Sequence, residues 1–340
     1  MNVTTVGIDL AKNVFSVHGV GREGKVLLRR SVGRADLLPM FAQMPPCLIG
    51  LEACSGAHHF ARQLRRLGHD ARIMASRFVA PYRKSGKNDG NDAEAICEAV
   101  GRPNMRFVAV KSVEQQAVLV LHRVRKEVSD QRTALINQLR GMLCEFGVVL
   151  PCGRYSFRHK LPAVLEDTGN GIPHLARRLF REVNERIGAL DVQILAYDRE
   201  IEALARRSEA ARRLMDMPGV GPVTATAIVA SVADMKVFKS GREFAAWLGL
   251  VPRQYSTGGK VRLGRITKQG DVYLRTLLIH GTRAVLAALG TKDDRLSKWI
   301  RSLIERRGYR KAAVALAAKH ARMIWAMLAK GEPYRCASSA

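Results

Sequence analysis

Negative charge is what this sequence most lacks. Its 340 residues hold 30 acidic side chains against 56 lysines and arginines, a formal net charge of +26 at pH 7, with a pI near 10.5. An excess of that size calls for a polyanion or an anionic surface as partner. Cysteine is sparse too. The six thiols (Cys47, Cys54, Cys97, Cys144, Cys152 and Cys336) contain no CxxC pair, which argues against a zinc site and against a secreted disulfide framework. They read as reduced thiols, several of them core residues. No run of about 18 apolar residues occurs, so no membrane partner is expected. The N-terminus reads as a strand and not as a signal peptide. A cytoplasmic protein is the expectation. No internal repeat or low-complexity block stands out.

What is present is a globular composition, 47% apolar, on a chain long enough for two or three domains. The charge is uneven: +8 over residues 1–112, +3 over 113–207 and +15 over 208–340. The last third is therefore the expected main nucleic-acid surface.

The first part reads as α/β. Val3 to Asp9 is a buried strand ending in an acid, Asn13 to Val20 a second strand, and Lys25 to Val32 a third across a Gly/Arg/Glu turn. Cys47 to Glu52 is another buried strand with an acid at its end, and Ala71 to Met74 a short one; helices are expected at Asp36 to Phe41, His58 to Leu67 and Asp92 to Val100. Three antiparallel strands followed by alternating α and β give a mixed sheet covered by helices. From Val113 the pattern turns all-α. Leu121, Val124, Val128, Leu135, Leu139, Met142 and Phe146 form one stripe, and a loop is expected from Pro151 to Arg158. A second long helix begins near Pro173, with Val183, Ile187, Leu190, Ile194, Tyr197, Ile201 and Leu204 spaced as a heptad seam. Those two stripes either satisfy each other in one chain or join copies of it. A basic, mostly helical part follows, with helices at Asp271 to Leu289, Arg295 to Glu305 and Lys311 to Leu328, and the last ten residues frayed. The expected divisions are 1–112, 113–207 and 208–335.

Four acids carry the chemistry. Asp89 and Asp92 stand three apart where a Gly/Asn-rich turn enters a helix, so both can lie on one side of its first turn. Taken alone, the pair reads more readily as helix capping than as metal binding. Asp9 and Glu52, at the ends of buried strands, shift the balance, because an unpaired buried carboxylate is costly. Together Asp9, Glu52, Asp89 and Asp92 make a cluster that would repel itself without divalent cations. An oxygen-only donor set selects Mg²⁺, with Mn²⁺ as the substitute, and such a site suits phosphodiester chemistry. Arg83, Lys84 and Lys87 could hold a nucleic-acid backbone beside it or form a solvated basic face. Gly7-Ile8-Asp9-Leu10-Ala11-Lys12 also resembles a phosphate loop of actin-like ATPases, but no second phosphate loop or adenosine-binding motif accompanies it. In the basic part, Gly219 and Gly221 sit in a turn like that of a helix–hairpin–helix, which grips phosphate through backbone N–H groups. Ser256, on a Gly turn among Arg253, Lys260, Arg262, Arg265 and Lys268, is either a nucleophile with phosphate-stabilising cations or a passive phosphate contact.

These stretches together resemble one family, the DEDD insertion-sequence transposases related to the Piv-type DNA invertases. The N-terminal half is similar to their RuvC-like (RNase H-like) nuclease domain through Gly7-Ile8-Asp9-Leu10-Ala11-Lys12, Glu52-Ala53-Cys54-Ser55-Gly56 and Lys87-Asn88-Asp89-Gly90-Asn91-Asp92-Ala93. The C-terminal part is similar through Pro218-Gly219-Val220-Gly221-Pro222, Leu248-Gly249-Leu250-Val251-Pro252-Arg253, Ser256-Thr257-Gly258-Gly259-Lys260, Gly264 to Asp271, and Leu274-Arg275-Thr276-Leu277-Leu278. The resemblance implies a DNA recombinase in which Asp9, Glu52, Asp89 and Asp92 bind Mg²⁺ and Ser256 forms a phosphoserine link to cleaved DNA. Many members place Gly directly after that serine. Here Thr257 intervenes and stands as a second candidate. It further implies a structured non-coding bridge RNA that pairs with target and donor DNA, dimers pairing into tetramers, and an active site shared between protomers. The rivals are a metal-dependent nuclease such as a junction resolvase, with no covalent intermediate, and a silent nucleic-acid-binding protein.

Overall fold

The structure, a computed structural model, describes residues 2–84, 86 and 88–334. Lys87 and Cys336 lie outside the described residues, as does most of the C-terminal stretch expected to fray. The chain forms two compact units, one of residues 1–112 with 232–237, the other of 113–231 with 238–340.

The first unit is built on a six-stranded mixed sheet, compatible with an RNase H-like fold. Its elements are β1 (Thr5–Asp9), β2 (Val14–Val20), β3 (Val26–Gly33), α1 (Leu37–Ala42), β4 (Leu48–Glu52), α2 (Ala57–Arg66), β5 (Asp70–Met74), α3 (Ser76–Val79), α4 (Asp89–Val100) and β6 (Phe107–Val108). The strand order is β3-β2-β1-β4-β5-β6. β1, β2 and β3 form an antiparallel meander, β4 pairs parallel to β1, β5 parallel to β4, and β6 antiparallel to β5. Side chains alternate across a strand. Val6 and Ile8 of β1 and Ile49 and Leu51 of β4 are fully buried in the core. Gly7 and Gly50 face the other way, and there α4 crosses the sheet. A Cβ on Gly7 would strike the backbone of Ala93 and Cys97, and one on Gly50 would stand 2.9 Å from Ile96 Cγ2 and Val100 Cβ. The helix thus lies against bare strand backbone.

The second unit is mostly helical: α5 (Val113–Cys144), α6 (Arg154–Glu166), α7 (His174–Arg207), α8 (Glu209–Met215), α9 (Pro222–Ser231), α10 (Gly241–Trp247), β7 (Pro252–Gln254), β8 (Leu263–Ile266), α11 (Val272–Ala287), α12 (Arg295–Arg307) and α13 (Tyr309–Ala329). α5 and α7 pack as an antiparallel hairpin, laced by Arg125–Asp198 and by Arg132 Nη1–Asp191 Oδ1 at 2.9 Å. Ile187, Ile194 and Ile201 of the heptad seam are buried. On α5 the buried face is rotated in part from the expected stripe. Val128 and Leu139 of that stripe are buried and Leu135 and Met142 pack against the core, but His122, Ile136 and Leu143 are buried too and Val124 is exposed. The same helix carries Arg125 and Arg132 to carboxylates of α7. The loop expected at 151–158 is instead largely the start of α6. Phe157, Leu161 and Leu165 recur every fourth residue and are buried. Pro162 within that helix masked the pattern.

α13 is long and apolar enough, by length and composition, to cross a membrane. Ala312, Ala313, Leu316, Ala317, His320, Ala321, Ile324 and Met327 are nevertheless buried along it, so it is a core helix of its unit.

Two imidazoles in this unit are buried neutral. His122 lies between Tyr273 Oη and Thr226 Oγ1, each at 3.0 Å. His320 has neither ring nitrogen hydrogen-bonded. Burial penalises the cation and pushes both down to about 4. The unfolded imidazole, near 6.5, takes a proton that the folded one refuses. Its contribution is therefore complete above about pH 6.5 and lost as pH falls through 4. Urea unfolding should show His320→Leu losing about 3 kcal/mol less than the wild type between pH 7.5 and pH 4. An unchanged acid slope would show that His320 does not titrate in this way.

Candidate functional site

The acids occupy strand ends for a reason visible in the register. Ile8 pairs with Leu51 across the parallel strands β1 and β4, so the next residues, Asp9 and Glu52, stand side by side. Each follows its glycine by two positions, in Gly7-Ile8-Asp9 and Gly50-Leu51-Glu52. Both side chains consequently leave the sheet on the face that α4 covers. Cys54 reports the shared charge: burial first, and then the carboxylates of Glu52 and Asp9, push its thiol up. Ser76 Oγ donates to Glu52 Oε1 at 2.5 Å.

Asp89 and Asp92 lie on the first turn of α4. The helix begins at Asp89, earlier than the sequence pattern suggested, and the cap is Asn88, whose Oδ1 accepts the Asn91 N–H at 2.9 Å. Capping is thus performed by Asn88 and not by either aspartate. Asp89 is exposed. Asp92 is mostly buried, its side chain 13% exposed, and its Oδ1 takes Arg83 Nε at 2.5 Å. Lys84 Nζ meets Glu94 Oε1 at 2.9 Å, and that hydrogen bond leads the effects holding the Glu94 carboxyl below its usual range. Arg83 and Lys84 therefore neutralise acids of α4 within the unit.

The structure brings Asp9 beside Glu52, and Asp89 onto one helical turn with Asp92. Among the described residues, however, no three Asp, Glu, His or Cys side chains are gathered as a metal ion would require. The donor set still suits Mg²⁺, which keeps several waters and is held by one or two carboxylates plus substrate phosphates. Asp9 and Glu52 form such a pair. Asp92 is engaged by Arg83 instead.

In the other unit, the basic Gly-rich stretch is a β-hairpin. β7 and β8 pair antiparallel, Tyr255 N–H donates to Arg262 O at 2.9 Å, and Lys260 N–H to Thr257 O at 3.0 Å. Gly258 and Gly259 turn the chain between Thr257 and Lys260 with φ of 55° and 74°, the positive values a tight hairpin turn demands. Thr257 closes this turn. Ser256 precedes it and is exposed, with Gln254 Nε2 donating to its Oγ at 2.9 Å. Arg253, Lys260, Arg262, Arg265 and Lys268 are all exposed along the hairpin. Of the two turn glycines, Gly221 is exposed at the start of α9, whereas Gly219 is half-buried against Gly281 of α11.

Several neighbours escaped the sequence reading: Cys54 and Ser76 beside the strand-end acids, Gln254 on the serine, and Asn88 as the cap. The repeated glycine-x-acid at two strand ends was the available signal for the shared face of Asp9 and Glu52.

Residues 211–297 match the profile of the transposase IS116/IS110/IS902 family, and residues 6–147 match a second transposase profile, of the DEDD type. A probable family 20 transposase of Pseudomonas aeruginosa is 48% identical over 98% of this chain and 99% of its own. The transposase for insertion sequence element IS1111A of Coxiella burnetii is 42% identical, over 98% of this chain and 92% of its own. That for IS1328 of Yersinia enterocolitica is 40% identical, over 97% and 98%.

If Arg83 competes with a cation for Asp92, then Arg83→Gln should tighten Mn²⁺ binding in titration calorimetry by about threefold to tenfold, the scale of a partly buried ion pair. Equal or weaker binding would remove Asp92 from the ligand set.

Proposed function

The chain belongs to the IS116/IS110/IS902 family of transposases, and from that premise we propose that it cleaves and rejoins DNA through a phosphoserine on Ser256 at a Mg²⁺-dependent carboxylate site. In this reading residues 1–112 carry the metal site, 113–207 join protomers, and 208–335 grip DNA and present the serine. The observation that carries it is the hairpin itself. An exposed hydroxyl stands at its tip among cations, and its hydrogen-bond partner, the Gln254 amide, cannot serve as a base. A serine so placed needs activation from charge elsewhere, which the paired carboxylates Asp9 and Glu52 are suited to organise.

A bound Mg²⁺ or Mn²⁺ supplies Lewis-acid stabilisation of charge on the scissile phosphate. Asp9 and Glu52 would hold it, with Asp89 and Asp92 on α4 as further candidate ligands. Arg253, Lys260, Arg262, Arg265 and Lys268 hold the phosphodiester against the hairpin, with Gly221 contacting the backbone farther along. Ser256 Oγ attacks phosphorus and gives up its proton. A Ser–O–P bond forms, the P–O bond to the departing strand breaks, and that strand leaves as a protonated hydroxyl. The covalent link conserves the bond energy for rejoining.

Family resemblance adds a structured non-coding RNA as guide, and a dimer, pairing into a tetramer on DNA, whose sites combine acids and serine from different protomers. The net charge of +26 suits two nucleic acids. Self-association has support in the apolar surface left on the α5–α7 hairpin, where Leu175, Leu179, Val192 and Leu195 are exposed.

The test is a denaturing gel of protein with Mg²⁺, flanking RNA and labelled DNA across the element junction. The wild type should give a covalent protein–DNA species. Ser256→Ala and Asp9→Asn should abolish it, and Thr257→Ala should retain it. Cleavage without an adduct, surviving Ser256→Ala but not Asp9→Asn, would make the protein a RuvC-like nuclease.

A further inference from the structure

We propose that Arg275 is a positioning residue for Ser256: its guanidinium clamps the base of the serine hairpin and so sets where the hydroxyl stands. This rests on the reading of Ser256 as nucleophile.

Arg275 lies one turn into α11 and is 7% exposed. Its Nη1 donates to Leu248 O and to Gln269 O, both at 2.9 Å. These carbonyls flank the hairpin. Leu248 is the exit of α10 ahead of β7, and Gln269 follows β8. Between them β7, the turn and most of β8 are exposed, and the strands share a short register with a shift between Pro252 and Gln254. Such a hairpin makes few contacts that could hold its tilt, so its tip points where its base directs it.

The rest of the base is built to the same end. Thr267 N–H donates to Val251 O at 2.9 Å and Lys268 N–H to Gly249 O at 3.1 Å. Gly249 lies against the backbone of Gln269, and Gly270 against Trp247 O, with no room for a Cβ at either. Lys268 is, among the described residues, the one non-glycine with positive φ, at 55°. Backbone strain of this kind persists only where the surroundings over-determine it.

The guanidinium adds a side-chain tie to these backbone bonds, from one donor nitrogen to both sides. No carboxylate is paired with it among the described residues. An apolar side chain would fill the space with less desolvation penalty but would take this donor from the buried carbonyl of Leu248 and the part-buried one of Gln269. A fixed planar donor that reaches both acceptors ties the exit of one strand to the entry of the other.

The experiment compares wild type, Arg275→Met and Arg275→Lys in the full chain, reading melting temperature, DNA affinity by gel shift, and the rate of adduct formation at saturating DNA. Arg275→Met should lower the adduct rate about 100-fold, as misplacement of a reacting group by about 1 Å can do, with affinity held within about twofold. Arg275→Lys keeps a multi-donor cation on a shorter head and should recover roughly tenfold of that loss. An undiminished rate in Arg275→Met overturns the proposal. So does a parallel fall of rate, affinity and melting temperature in both variants, which marks a structural residue. If Arg275→Met fails to fold, Arg275→Lys decides alone, and a wild-type rate there overturns it. Absence of any adduct from the wild type fails the Ser256 reading itself and takes this proposal with it.

Discussion

A helix can approach a sheet only as closely as the side chains between them allow, and here they have been removed. Gly7 and Gly50, on neighbouring parallel strands, let the backbone of α4 settle where Cβ atoms would otherwise stand. That approach places an acid-bearing helical turn over the same face from which Asp9 and Glu52 emerge. Main-chain geometry positions each pair, with the strand register fixing Asp9 and Glu52 and the helix position Asp89 and Asp92. Larger side chains at the two glycines would lift α4, and Asp89 and Asp92 with it, without changing a single acid in the sequence.

The serine hairpin meets a similar demand by different means. A strand end inside a sheet inherits its position from neighbours on both sides. An exposed hairpin has neighbours only at its root. There close backbone contacts at Gly249 and Gly270, a strained Lys268 and a buried arginine take the place of a sheet. The exposed portion is then free to be cationic throughout, which suits a surface that meets phosphate. Rigidity lies beneath the surface and charge upon it.

Much of this was legible in the chain. Alternation and strand-terminal acids marked β1 and β4, and the heptad spacing marked Ile187, Ile194 and Ile201 as an inward face. Local signals failed where long-range partners decide. The partly rotated buried face of α5 belongs to a helix whose Arg125 and Arg132 reach Asp198 and Asp191 on another helix. Pro162 reads as a helix breaker, yet Phe157, Leu161 and Leu165 bury enough apolar surface to hold the turn around it. Capping at α4, the competing reading of the two aspartates, falls to Asn88 just before them. Arg275 stood in the sequence only within the Leu274 to Leu278 stretch of the family resemblance, because nothing in its sequence neighbourhood shows the carbonyls it reaches.

The acids of the first unit also bear on how so basic a protein accommodates carboxylates. Like charges at close range raise one another's cost unless cations intervene. Here Asp92 and Glu94 meet cations of the same unit, and Glu52 meets a hydroxyl. Arg83 pairs with Asp92, Lys84 with Glu94, and Ser76 donates to Glu52. Under the proposed metal-dependent reading, a divalent ion would compete with these partners for the carboxylates. Loading would then be an exchange and not a simple addition. A side chain that released a carboxylate to a metal would become a free cation beside an arriving polyanion. In that reading Arg83 would serve Asp92 first and a phosphate afterwards, its two roles being successive states of a single charge.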